Sequence, residues 1–509
     1  MRSKIILFAL LCFSVIATAQ INQPIRVEYD DDEVEDFDVF GFESKRIALV
    51  RYQNKKVHSR KEKVYVFDSY DEALKKTKTQ SIAVAGKWDN TEIFNSSDYQ
   101  FMLSYNRAKG TFLLVKIDPQ TLDFTALNGM FGKKFTVHEW YVQGDFMYVA
   151  GSVKKQAHAI VININSGQKT DLVLKTLTPH ALAFSDLERI KTPTGYEMGF
   201  QYSVEIKRKA HETYLLRFNE KGEKMGDFLV LPKPDAETEL LNVSLTKVSN
   251  GSYIITGTYS KGKKGLANGI YCASLSESGL RFIKYENFLD LKNFTNYMSE
   301  RNQAWVEKKQ DKKEAKGEEL NLNYRVVTHD IMELDGKYVY LGEFYYPTYR
   351  TEYYTVTSTT PSGQVITRQQ SRQVFDGFQY SHAAIAAFAE DGALEWSNAF
   401  DMYVTNKPYR PRKFIRAGVD NSQIKLMYVT GSNIKAVSFD NKGAEAMSRS
   451  VEMISTNVSG DRIRYTYEGA CEYWFGNSFL SSGFQKIKNK EEESGHKKRS
   501  VYFVNKISF

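Results

Sequence analysis

The sequence predicts an all-β fold: a β-propeller of eight blades, with seven as the alternative count, carrying one helical insertion and one long β-hairpin insertion. Three observations point there. An apolar strand with a glycine in it, residues 253–257 (YIITG), returns at 146–151, 196–199, 338–342 and 473–476. A glycine-closed turn returns at Gly167, Gly222, Gly279, Gly392 and Gly443, at intervals of 55, 57, 113 and 51 residues, so the third interval holds one expanded or one additional unit. Ahead of the glycine-bearing strand stands a tight turn such as Asn250-Gly251, Asp335-Gly336 or Thr194-Gly195, and such residues supply the positive φ that short hairpins need.

Each unit therefore reads strand, tight turn, strand, variable loop, strand, glycine turn, strand. Four strands repeated at roughly 40 to 50 residues are the signature of a propeller. Units are expected to begin near residues 46, 99, 145, 195, 251, 336, 422 and 471. Their strands are apolar on both faces, as sheets stacked against sheets require. A glycine weakens a strand unless another backbone approaches it, and the expected neighbour is the adjoining blade.

Taken in order, the 509-residue chain opens on a secretory signal over residues 1–19: Arg2 and Lys4, an apolar run over 5–16, then Ala17-Thr18-Ala19 before Gln20. The run is too short to cross a bilayer, Cys12 lies inside it, and no cysteine follows the small residues to carry a lipid. The mature protein is expected to be exported from a bacterial cell, periplasmic, outer-membrane-associated or extracellular, with residues 20–509 forming a single propeller domain. Loss of Arg2 and Lys4 leaves 67 Lys+Arg against 61 Asp+Glu, a net +6, too mild and too dispersed to argue for nucleic acid. Seven carboxylates between Asp30 and Asp38 match no calcium loop and read as a solvated entry segment. The short strand at 25–29 has no local partner, so it is expected to complete the last blade, removing a sheet edge. Cys272 and Cys471 fall in different repeats and read as buried free thiols.

The first insertion, residues 289–325, is expected to be helical. Phe294, Tyr297, Met298, Arg301 and Trp305 form an apolar stripe, followed by a charged tail. It reads as a helix laid against the sheets, or as a docking helix. The second insertion, residues 345–380, reads as a hairpin with much of its length exposed. Tyr345, Tyr346, Tyr349, Arg350, Tyr353 and Tyr354 make its base the most binding-like surface of the chain, since tyrosine offers a rigid ring with a polar end. Tyr409, Arg410 and Arg412 are expected to reach the same rim.

Searching for chemistry yields no local catalytic signature. The eight histidines are dispersed. His329 and His382, placed in adjacent strands of the expanded unit, read as structural. There is no Gly-x-Ser-x-Gly elbow, phosphate loop or Cys-x-x-Cys, and no metal or cofactor is called for. Carboxylates contributed by separate blades would leave no local spacing to find. The turn at 386–396, through Gly392 and Trp396, resembles the Asp-x-x-Gly-x-x-x-Trp closing turn of quinoprotein-type bacterial propellers. Tryptophan stands at that place in one repeat only, so the resemblance implies architecture and no activity. The leading expectation is a non-catalytic binding or scaffold module for a protein or polysaccharide partner in the envelope, without a transmembrane helix. A hydrolase or lyase with a channel-mouth site, and a peripheral subunit of an export or surface-assembly machine, are the alternatives.

Overall fold

The computed structural model describes residues 21–508 apart from 31–35, 58–59, 85, 97, 155, 175–181, 208–209, 231–237, 262–264, 360, 406, 421, 453–455, 457 and 490–497. The signal segment, Cys12, most of the acidic run and His58, His180 and His496 lie outside the described residues.

The fold is nearly all-β: the described residues form five four-stranded sheets, one of eight strands and one of five, and counting the eight-stranded sheet as two antiparallel halves gives sheets one to eight along the chain. Sheet one holds Asp36–Gly41, Ile47–Val57, Arg60–Tyr70 and Lys76–Val84; sheet two, Asn90–Asn95, Gln100–Asn106, Thr111–Ile117 and Phe124–Met130; sheet three, Thr136–Gln143, Phe146–Val153, Gln156–Asn163 and Lys169–Val173. Sheet four holds Leu182–Thr192, Gly195–Lys207, Ala210–Phe218 and Lys224–Val230; sheet five, Thr238–Lys247, Tyr253–Lys261, Gly269–Ser276 and Gly279–Asn287. A single parallel bridge, Lys191 to Thr246, joins these two. In sheet six the first position is split between Arg325–Thr328 and Met332–Leu334, followed by Lys337–Thr359, Val365–Phe388 and Leu394–Asp401. Sheet seven holds Arg416–Asp420, Gln423–Thr430, Asn433–Asp440 and Glu445–Glu452. Sheet eight takes Asp461–Phe475, Ser478–Asn489 and Lys498–Ser508 from the end of the chain and Asn22–Asp30 from its start. The N-terminal strand thus completes the last sheet, as its lack of a local partner required.

Alternation along the second strands places side chains in two cores at once. Met147 and Val149 pack with sheet two, whereas Tyr148 and Ala150 pack with sheet four. Tyr338 and Tyr340 face sheet five, and Val339 and Leu341 face sheet seven. Each apolar cluster joins consecutive sheets, and one joins Phe37, Val39 and Leu49 of sheet one to Trp474, Leu480 and Tyr502 of sheet eight. The Trp474 indole N–H donates to the Arg46 carbonyl across that contact, at 3.0 Å.

Three expectations are corrected. The eighth unit does not turn on residues 473–476, which end a first strand and leave Gly476 in the following turn at φ +49°. Its glycine-bearing strand is Ser478–Asn489, with Gly483. The acidic run is not wholly an entry segment, since Asp36 and Asp38 belong to the first strand of sheet one. Gly257 and Gly151, finally, do not accommodate a neighbouring sheet. A Cβ on Gly257 would meet the Asn242 carbonyl oxygen at 1.7 Å, and Asn242 lies in the same sheet beside a bulge between Leu240 and Asn242. Gly151 likewise faces a bulge between Val137 and Glu139. The extra residue pushes backbone toward the partner strand, and glycine makes room for it.

The first insertion is only partly helical. Residues 291–298 are turns, and the helix α1 spans Glu300–Glu314. Phe294, Tyr297 and Met298 precede it, so the apolar stripe does not lie on one helix face. Phe294 is buried in an aromatic cluster with Phe288 and Phe344, at centroid distances of 5.0 and 5.1 Å. On the helix itself Val306 is the buried residue, and Trp305 remains 53% exposed. In the second insertion the two long strands pair from root to tip. First-strand pairing ends at Tyr345 with Arg325, and fourth-strand pairing at His382 with Asp401. Beyond those points the hairpin runs as a two-stranded ribbon roughly 45 Å long at about 3.4 Å per residue.

Candidate binding groove between the two insertions

An unsupported two-stranded ribbon is marginally stable in water, and aromatic packing anchors this one at its base. Tyr349 meets Phe375, Phe375 meets Phe378, Phe378 meets Tyr345, Tyr345 meets Tyr380, and Tyr380 meets Phe414, at centroid distances of 4.8 to 6.0 Å. The segment between sheets six and seven lies along this row. The Tyr409 ring stands 5.8 Å from Phe375, the Lys407 ammonium 3.1 Å from an Asp376 carboxylate oxygen, and the Phe378 N–H donates to the Pro408 carbonyl at 2.9 Å. The two clusters expected to share a rim therefore touch.

The nine sequence-predicted residues are used unequally. Tyr345 is partly buried in the aromatic row. Tyr346, Tyr349, Tyr353 and Tyr354 are exposed. The Tyr354 hydroxyl bonds Gln370, and Arg350 pairs with Glu352, which also holds Arg372. Tyr409 and Arg410 are exposed. Arg412 lies with Tyr409 along a separate cavity of about 590 Å3 against Phe37, Glu472 and Tyr502. Its main chain is locked to the Tyr380 hydroxyl, which accepts from its N–H at 2.8 Å and donates to its carbonyl at 2.7 Å.

What the sequence did not reveal is that the two insertions face each other. Between helix α1 and the hairpin root lies a groove of about 1020 Å3, lined on one side by Tyr297, Arg301, Asn302 and Trp305, and on the other by Tyr346, Gln379 and Ser381, with Tyr403 at the rim. Its floor is rigid. His382 is sandwiched between the rings of Tyr297 at 3.9 Å and Phe344 at 4.4 Å, and the Tyr297 and Tyr324 hydroxyls are 2.6 Å apart. Burial pushes the His382 imidazole down to about 3, so it stays neutral. The expectation of adjacent strands for the histidines fails: the second strand of sheet six separates them, and His329 pairs instead with the buried Glu343, Nε2 to Oε1 2.7 Å. Tyr403 and Gln379 carry no sequence signal, because nothing local distinguishes the exposed Tyr403 or the buried Gln379 from their neighbours.

A second polar assembly runs along first strands of successive sheets. The Leu187 N–H is shared by Glu139 of sheet three, at 3.1 Å, and Asp186 of sheet four, at 2.9 Å. Lys413, ahead of sheet seven, pairs with Asp330 of sheet six at 2.9 Å. Glu188 accepts from the Ser244 hydroxyl, the Leu245 N–H and the Gln201 amide. Burial, and then Asp186, push Glu139 up to about 7; burial pushes Glu188 up to about 8 against the Leu245 and Ser244 hydrogen bonds. Both carboxyls hold their protons in the folded protein at pH values where the unfolded chain, near 4.5, has lost them. Stability is then expected to fall as pH rises from about 4.5 to about 8, with no further loss from these groups above it. Thermal melts at pH 5 and pH 8.5 check this, with a smaller difference expected for Glu188→Gln.

Cys272 and Cys471 are buried and free, as expected, and burial pushes the Cys272 thiol up to about 12. Among the described residues no three His, Cys, Asp or Glu gather as metal ligands, and no helix is long and apolar enough to cross a membrane. The closing-turn resemblance also acquires a structural meaning. Trp396 packs on Gly443 of the next sheet and donates its indole N–H to the Asn441 carbonyl at 3.0 Å. Phe282 covers Gly392 and Leu127 covers Gly167 in the same way. One tryptophan in the sequence is thus one member of a set filled by other apolar residues.

No known protein family and no curated protein matches the chain. Similar solved structures include the polysaccharide lyase Uly1, at 8% identity over 96% of this chain and 99% of that one, TM-score 0.38. They also include the WD40 domain of SCAP from fission yeast, at 8% identity over 96% and 94%, TM-score 0.39. A third is the dihydro-heme d1 dehydrogenase NirN, at 9% identity over 97% and 79%, TM-score 0.42.

Proposed function

We propose that this protein is a non-catalytic, exported binding module of the bacterial envelope, an eight-bladed propeller that holds a protein or polymer partner in the groove between its two insertions. The observation that carries the reading is the meeting of helix α1 and the hairpin around exposed aromatic rings, where both departures from the repeat come together. Closure is supported by the apolar cluster between sheets one and eight and by the N-terminal strand in the last sheet. Export rests on the leader at residues 1–19.

The test is co-purification from solubilised envelopes. A variant with Tyr346, Tyr353 and Tyr403 changed to alanine is expected to keep its melting temperature, because all three rings are exposed, and, since Tyr346 and Tyr403 line the groove, to lose at least about tenfold of any partner recovered with the unaltered protein. Full recovery with the triple variant would sink the proposal.

A second reading, a hydrolase or lyase, is favoured by one observation. Glu139 and Asp186 form a proton-holding pair, and the Lys413–Asp330 pair supplies a cation within the same electrostatic neighbourhood. In a closed ring these first strands line the channel. That reading requires cleavage of a captured polymer that disappears in Glu139→Gln while capture persists.

A further inference from the structure

Three large rings stand half or more exposed at the groove: Trp305 at 53%, Tyr346 at 50% and Tyr403 at 65%. They are not loose. Lys309 covers one face of the Trp305 indole, its ammonium 3.8 Å from the ring centroid, and Tyr346 is held in strand register opposite Gln379. The polar groups beside them are hydroxyls, amides and one guanidinium. Arg301 lines the groove with no ion pair or hydrogen bond among the described residues, and no Asp or Glu lies on the wall. Aliphatic lining is limited to Met298, Val306 and Leu322, so the groove has flat aromatic faces rather than a socket for an apolar side chain.

Resting on the reading of this groove as the binding surface, we propose that its occupant is a segment of an acidic polysaccharide. Sugar rings present an apolar C–H face that lies flat on an aromatic ring, and hydroxyls that the exposed Asn302 side chain on the groove wall is placed to meet. A uronate carboxylate or a sulfate complements Arg301, whose planar fork binds such groups in two-pronged fashion. The lack of opposing carboxylates on the wall favours an anionic chain over a neutral one.

The test is gel retardation and equilibrium binding of the full chain with polygalacturonate, alginate and chondroitin sulfate, with dextran as the neutral control. Retardation by at least one acidic polymer and none by dextran is expected. Trp305→Ala is expected to weaken binding about tenfold or more. Arg301→Gln is expected to weaken it and reduce its salt dependence, with melting temperatures unchanged in both. Equal retardation by dextran, no binding to any of the three acidic polymers, or variants indistinguishable from the unaltered protein would each overturn the proposal. If no polysaccharide binds while the triple tyrosine variant still loses its envelope partner, the groove remains a binding surface and only the ligand class is wrong. If that partner is also retained, both readings fall.

Discussion

Removal of residues 22–30 is expected to abolish cooperative folding, and Arg26→Ala alone to lower stability by about 3–5 kcal/mol. The Arg26 side chain is 1% exposed, its Nε 2.7 Å from a Glu28 carboxylate oxygen and its Nη2 2.6 Å from the Gln485 amide oxygen. Its guanidinium lies 4.5 Å from the Phe503 ring centroid. Alanine leaves Gln485 without its donor and Glu28 with Arg499 alone, at 2.8 Å, while opening a gap against Phe503. Lysine cannot restore the site, because a point charge does not reproduce the planar fork. Deletion of the whole strand adds an exposed edge along Lys498–Ser508 and removes Tyr29, whose ring lies tilted against Phe37 of sheet one with centroids 5.9 Å apart. Urea titration checks both variants. A rearranged chain carrying residues 22–30 after residue 508 through a short turn is expected to recover the original midpoint, because Asn22 pairs with Ser508 in the antiparallel register. An unchanged midpoint on deletion would show that the first strand does not hold the last sheet.

Glu343→Ala is expected to cost a similar 3–5 kcal/mol and to detach the segment that borders both cavities. Glu343 is 0% exposed and its carboxylate accepts from the Phe414 N–H at 2.9 and 3.0 Å, the Ile415 N–H at 2.9 Å and His329 Nε2. It is the one contact that fixes two consecutive amides at the entry to sheet seven. Without it those donors are buried and unmet. Glu343→Gln keeps an acceptor but loses the charge, and a loss of about 1–3 kcal/mol is expected. Because the same segment carries Tyr403 and Tyr409, hydrogen exchange should speed at residues 403–415 in Glu343→Ala while sheets one to three are unaffected. Equal protection in both proteins would refute the role.

Much of the architecture was legible before any coordinates. Seven of the eight expected unit starts fall at or beside the second strand of a sheet, because the central stretches of those strands are buried on both faces and carry apolar residues on both. The eighth was misplaced onto 473–476, since an apolar run closed by a turn glycine looks the same as one carrying a glycine inside. The glycines themselves are legible in the sequence, but the cause at Gly151 and Gly257 is not: a bulge in the preceding strand is a register event with no composition of its own. The hairpin was visible in its β-branched and aromatic alternation. The helix was overextended, because turns packed around Phe288 and Phe344 use the same apolar residues as a helix face.

The sequence by itself determined that this protein is a chain of four-stranded units, that its first strand needed a distant partner, and where the two irregular segments lie. Those are properties of periodicity and of unpaired edges, which are local or nearly so. Only the tertiary structure decided that helix α1 and the hairpin share one groove, that Tyr403 and Gln379 belong to it, and that Glu139 shares an amide with Asp186. Such meetings depend on the angles between successive sheets, to which every residue contributes and which no short stretch encodes.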